Sequence, residues 1–184
     1  MAEKFWNQSS LEPKRQHRWL LYVGGEPKIA PGAKQSTIGI PTYVVKKVTK
    51  PQFNVTETPH TFYGHRFYFP GIVEWQQTTF TLVDPVDPDV SRILYDALTK
   101  SGYNVPDGPI GVNTLSKDLS VKALGNIITL RQFSPDNEVV DQFSLWNPWI
   151  ISVEFGSLDY ESDAMVEINV TIRYDYATFD TGTA

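Results

Sequence analysis

One stretch constrains this chain more than any other: Val166, Ile168, Val170, Ile172, Tyr174 and Tyr176 alternate with Glu167, Asn169, Thr171, Arg173 and Asp175. Successive side chains of a strand point to opposite faces. A period of two therefore buries one face and wets the other, which no helix can do. Burying the aliphatic members contributes about 1.5–3 kcal/mol each before chain entropy is counted. Whatever else the chain forms, it needs a core against which this strand can lie.

The remaining pattern supplies that core mostly from further strands. Residues 17–23 read as a strand with Trp19, Leu21 and Val23 on one side and Leu20 and Tyr22 on the other. Strands are also expected over 42–49, 52–56 and 65–69. A long strand over 72–83 has faces that change character along its length, as expected where a strand crosses from one packing partner to another. Residues 127–133 and 138–145 flank Ser134-Pro135-Asp136-Asn137, a hairpin turn by composition. Another strand, 149–155, follows the break at Asn147-Pro148.

Between the two groups of strands sits a helix with end signals: Asp87 as N-cap, Pro88 at the first position, Lys100 in the last turn and Gly102 as the left-handed stop. Val90, Ile93, Leu94, Ala97 and Leu98 form its apolar stripe. A shorter second helix over 115–124 fits the pattern less fully. Strands, a helix, then strands predict a mainly β fold: an antiparallel sandwich or barrel with one flanking α-helix over about 88–101. Residues 1–16 read as a polar arm, and 17–184 as a single domain interrupted by a Gly- and Pro-rich loop at 24–41.

Composition narrows the functional classes. With 184 residues, 41% of them hydrophobic and 20% charged, the chain suits one globular domain. It contains no cysteine, so disulfides and thiolate chemistry are excluded. A net charge of −5 argues against a tightly held nucleic acid, and Lys14-Arg15-Gln16-His17-Arg18 reads as a solvated approach to the first strand. The first residues lack the apolar segment of a signal peptide, and no apolar run approaches the roughly 18 residues of a membrane span, so a cytoplasmic protein without a membrane anchor is expected.

Sites for chemistry are scarce. His60 and His65 have no third histidine nearby and lie among turn residues, and His17 belongs to the first strand. The carboxylates of Asp84-Pro85-Val86-Asp87-Pro88-Asp89 could attract calcium, but a rigid lead into the helix explains them better. Gly24-Gly25 lacks the context of a phosphate loop, and no nucleophile elbow occurs. The aromatic run Phe62-Tyr63-Gly64-His65-Arg66-Phe67-Tyr68-Phe69 suits a stacking platform, or more commonly core and interface. The expectation is a structural protein with no catalytic, cofactor-binding or metal residues and no cofactor.

From about residue 53 onward, the order of segments resembles the tail-tube proteins of contractile-tailed bacteriophages. The segments are Phe62-Tyr63-Gly64-His65-Arg66, then Glu74-Trp75 with 78–83, then an Asp-rich turn into the helix. The hairpin 127–145, Leu145-Trp146-Asn147-Pro148, 150–155 and the alternating strand follow. The resemblance implies a sandwich or barrel-like fold with a flanking helix, shared with the tube proteins of type VI secretion. It also implies hexameric rings stacked into a hollow tube, with tail sheath and baseplate proteins as partners. DNA would transit the bore without specific binding, in a virion assembled in the host cytoplasm.

On that reading the loop 24–41 docks on the adjoining ring through Lys28, Ile29, Lys34, Ile38 and Ile40, and Glu167, Asn169 and Thr171 are candidates to line the bore. Two alternatives stay open. One is a related ring (a tube initiator, a terminal ring or a secretion-system tube subunit). The other, of a different class, is a carbohydrate-binding β-sandwich module that uses the aromatic run.

Overall fold

The computed structural model describes residues 13–24, 40–105 and 114–182. The alternating run forms β9 (Glu167–Arg173), in which Ile168, Val170 and Ile172 are fully buried. It pairs antiparallel with β5 (Thr78–Val83) on one side and β8 (Trp149–Glu154) on the other. Adding β2 (Val45–Val48) completes a sheet of order β2-β5-β9-β8. A second sheet has the order β1-β6-β7-β10, from β1 (Trp19–Val23), β6 (Ile127–Phe133), β7 (Val139–Trp146) and β10 (Tyr176–Thr181).

The two sheets enclose one core. Leu21, Val23, Ile128, Leu130 and Leu145 come from the second sheet and Phe80, Leu82 and the β9 aliphatics from the first. The fold is an open antiparallel sandwich; neither sheet closes into a barrel. A third pair, β3 (Phe53–Phe62) and β4 (His65–Trp75), forms a two-stranded ribbon of its own.

Two expected strands divide where the chain changes partners. The expected strand 72–83 breaks at Gln76-Gln77. Its first part finishes the ribbon and its second enters the sandwich. The alternating run breaks at Tyr174-Asp175, and Tyr176 opens β10 in the opposite sheet. Tyr174 is buried there, the Asp175 N–H donates to the Trp146 carbonyl at 3.0 Å, and Tyr176 stacks on Trp146 at 5.9 Å. Residues expected to start a strand at 42 instead form a single 3-10 turn over Thr42–Val44.

Two helices flank the sandwich: α1 (Val90–Lys100), where the flanking helix was expected, and α2 (Lys117–Leu124), within the 115–124 stretch that fitted a shorter second helix. Pro88 lies outside α1, and the N-cap is Asp89, whose carboxylate accepts the Arg92 N–H at 2.9 Å. Asp84 accepts the Val90 and Ser91 N–H groups at 3.1 and 3.3 Å and takes the Ser91 hydroxyl at 2.6 Å. Two carboxylates thus satisfy the orphan donors of the first turn, which is the work the Asp-rich segment does here. Gly102 follows the last turn with φ 107, as the stop signal requires. Val90, Leu94 and Ala97 are buried by the stripe, whereas Leu98 remains 39% exposed.

Candidate assembly surfaces

The ribbon β3–β4 is the most exposed element of the molecule. Tyr63 (φ 52) and Gly64 (φ 81) form its two-residue turn, both left-handed, as a tight hairpin needs. Cross-strand pairing places His65 opposite Phe62, Phe67 opposite His60 and Phe69 opposite Thr58 on one face. Tyr68 opposite Pro59 and Pro70 opposite Glu57 lie on the other. Thr56 faces a bulge at Gly71-Ile72, where its hydroxyl accepts the Ile72 N–H at 2.8 Å. A Cβ on Gly71 would collide with that hydroxyl, so glycine is required.

Both faces of the ribbon are open. Phe62, Phe67, Tyr68, Phe69 and Ile72 are each more than half exposed, from 51% at Phe67 to 74% at Ile72. Among the described residues the ribbon is anchored at its base, where Trp75, packed edge-on against Phe53 of the paired strand at 5.4 Å, meets Tyr174 at 6.0 Å. His60 and His65 lie on the aromatic face of this ribbon. Among the described residues no group of three or more His, Asp or Glu gathers in a way that could hold a metal ion.

Beside the ribbon's base an open groove of about 1060 Å³ runs between the helices and β8. Trp75, Leu98, Leu115, Trp149, Ile151 and Phe155 are among the residues lining it. Leu98, the stripe residue that the core does not cover, opens onto this groove.

The outer face of the β2-β5-β9-β8 sheet is polar. Glu167, Asn169 and Thr171 stand together on it, alternating with the buried aliphatics of β9. Asn169 accepts the Thr81 hydroxyl at 2.9 Å, and Glu167 is ion-paired with Lys46 across the sheet. Of the residues expected to dock rings, Lys28, Ile29, Lys34 and Ile38 lie outside the described residues. Ile40 is 3% exposed and packs in the subunit's own core, so its side chain is already occupied.

Electrostatics follow packing. Burial pushes the phenol of Tyr174 up, with the Gln52 backbone and Arg173 acting weakly the other way, yet no hydrogen bond to its hydroxyl meets ordinary geometry among the described residues. Burial also raises Tyr22, offset in part by Arg131, which lies 5.7 Å from its ring. Asp175, where the chain changes sheets, is held below the usual carboxylate range by hydrogen bonds from Lys117 at 2.7 Å and Asn147 at 3.0 Å. None of these groups faces another across a cleft in the manner of an acid–base pair.

Two of these surfaces were partly visible in the sequence, as the aromatic run and the polar positions of the alternating strand. The groove was not, because its lining comes from elements far apart in the chain.

No protein-family model matches the sequence, and no curated protein matches it significantly. Solved structures do match the fold. The chain is similar to one in the tube terminating cap of the anti-feeding prophage, at 16% identity and a TM-score of 0.65, with 93% of each chain covered. It is similar to one in the sheath/tube terminator of an extracellular contractile injection system, PVC, at 16% identity and 0.65, covering 94% of this chain and 100% of that one. A chain of the PVC sheath–tube complex matches at 15% identity and 0.62, over 98% and 99%.

Proposed function

Taking the tail-tube fold shared with those chains as premise, we propose that this protein is a structural subunit of the inner tube of a contractile, phage-type tail. It assembles with copies of itself into hexameric rings, and the rings stack into a hollow conduit within a sheath seated on a baseplate. The observation that carries the reading is the β3–β4 ribbon, whose apolar side chains are exposed on both faces. A two-stranded hairpin is marginal in water on its own. A ribbon this apolar is an aggregation hazard unless another surface covers it, and an exposed apolar patch of this kind marks an interaction site.

The bore is lined by the polar sheet face with Glu167, Asn169 and Thr171. Glu167 pairs with Lys46, hydroxyls and an amide fill the centre, and the exposed cations Lys47 and Arg173 are interspersed with the carboxylate of Glu154. The face therefore carries mixed charge and no cation cluster to grip phosphates, and DNA slides rather than binds. The tube needs no cofactor and performs no catalysis. The loop 24–41, through Lys28, Ile29, Lys34 and Ile38, docks on the adjoining ring.

A second reading, a terminal ring that caps such a tube, is favoured by the similarity to the two terminator chains. Negative-stain electron microscopy and sedimentation of the purified protein test both. Open-ended tubes of varied length support the tube subunit, discrete rings that do not elongate support the terminal ring, and monomer at every concentration, even with sheath or baseplate seeds, defeats both.

A further inference from the structure

A cleft of about 570 Å³ opens where the edge strand β2 leaves the sandwich, and four lysines line it: Lys14, Lys46, Lys47 and Lys50. Two are neutralised within the subunit. Lys14 donates to both oxygens of the buried Asp141 at 2.7 and 2.6 Å, and Lys46 pairs with Glu167. The other two are not. Lys50 donates only to the neutral amide of Gln132 at 2.7 Å and lies 5.8 Å from the Phe143 ring centre, and Lys47 has no partner among the described residues. Trp19, Val48 and Phe143 supply an apolar floor beneath these two exposed cations.

The complementary chemistry lies on the same sheet at its other edge. In the order β2-β5-β9-β8, the free edges are β2 and β8. The connection from β8 to β9 carries Leu158-Asp159-Tyr160-Glu161-Ser162-Asp163, all exposed. Leu158 is 88% exposed and Tyr160 fully so, an unusual position for two large apolar groups between carboxylates. Acidic side chains interleaved with Leu and Tyr match uncompensated lysines over an aromatic floor.

We infer that the Leu158–Asp163 segment of one copy docks in the Lys47–Lys50 cleft of the next, forming the lateral contact that closes a ring. This rests on the reading of the chain as a ring-forming subunit and specifies the surfaces used. A contact joining opposite edges of one sheet is heterologous, and a heterologous contact closes into a ring when its rotation divides the circle. Partial desolvation in the cleft strengthens each charge pair relative to open solvent, while complementary charge fixes register and suppresses wrong partners.

Charge exchange tests it. Lys47→Glu with Lys50→Glu makes one variant, Glu161→Lys with Asp163→Lys a second, and all four changes a third. The substituted side chains are exposed, so thermal melts should match the wild type. Each pair alone should raise the concentration needed for assembly by about tenfold or more, with the combined variant returning to within about threefold of wild type. Unchanged assembly in either pair, or no recovery in the combined variant, overturns the inference. An effect confined to the lysine pair means that the cleft holds another anion, such as a phosphate polymer, and also overturns it. If the wild type assembles and the exchange fails, the lateral contact alone is wrong. A wild type that stays monomeric with seeds removes the tube reading and this contact with it.

Discussion

In β9, Ile168, Val170 and Ile172 are fully buried, whereas in β4 Phe67, Phe69 and Ile72 are each more than half exposed. Both strands are rich in large apolar groups, yet they solve different problems. β9 alternates apolar with polar because one of its faces belongs to the subunit's core and the other to solvent. The ribbon carries aromatic rings on both faces, so nothing within the chain tells it which side is inside. The contrast separates residues that fold the chain from residues that, on the proposed reading, a neighbour would cover, and each class should fail in its own way when altered.

The sharpest break of that contrast is a charge in each strand. Ile168→Asp places a carboxylate where no water or partner reaches, a cost of about 4 kcal/mol or more, and soluble yield should collapse. Normal folding of that variant would mean that β9 does not hold the core. Replacing residues 57–70 by a short Asn-Gly turn removes most of the ribbon but none of the core cluster. The product should stay folded, with a melting temperature within a few degrees of the parent, and should sediment as monomer under conditions where the parent assembles. A truncated chain that still forms tubes would strip the ribbon of its assembly role.

A finer version is Phe67→Asp. Because its ring is half exposed, stability should change by no more than about 0.5 kcal/mol, while assembly weakens by about tenfold. Equal losses in both measurements would place Phe67 in the folding class instead.

The smallest effect belongs to the point where the two sheets are joined. Lys117 and Asn147 lower the Asp175 pKa from its ordinary 3.8, so the ionised form favours the folded state. That contribution is fully present above pH 3.8 and is lost as pH falls through the lower native value. Asp175 is 38% exposed, and solvent screening limits the pair to about 1 kcal/mol or less. Lys117→Met should therefore cost a little stability in urea titrations at neutral pH. The difference from wild type should vanish in strong acid, and a gap that persists there would show that packing, not charge, is what Lys117 supplies.

How much of this was legible beforehand depends on whether the signal is local. The period-two run, the 134–137 turn and the α1 stripe each lie within a short window, and they became β9, the β6–β7 hairpin and α1. Boundaries failed where partners change. Gln76-Gln77 and Tyr174-Asp175 interrupt no hydrophobic pattern, so a reading based on periodicity runs straight through them. Asp87 read as the cap because it precedes a proline, yet Asp84 and Asp89 hold the first-turn amides. The aromatic run was visible as a cluster, but a strand estimate of 65–69 missed that it would extend into an eleven-residue arm. The lysine cleft was hidden because Lys14, Lys47, Lys50 and Phe143 meet only after the sheets pack.

The passage from β9 to β10 bears on mechanics. Only Tyr174 and Asp175 separate a strand of one sheet from a strand of the other, and both are tethered, one by burial and one by Lys117, Asn147 and the Trp146 carbonyl. Sliding one sheet over the other would have to stretch this two-residue tie along the covalent backbone. Under a thrust applied along the sheets, the subunit resists as a braced box rather than as two plates in a stack. A wall built from such units transmits load with little internal shear.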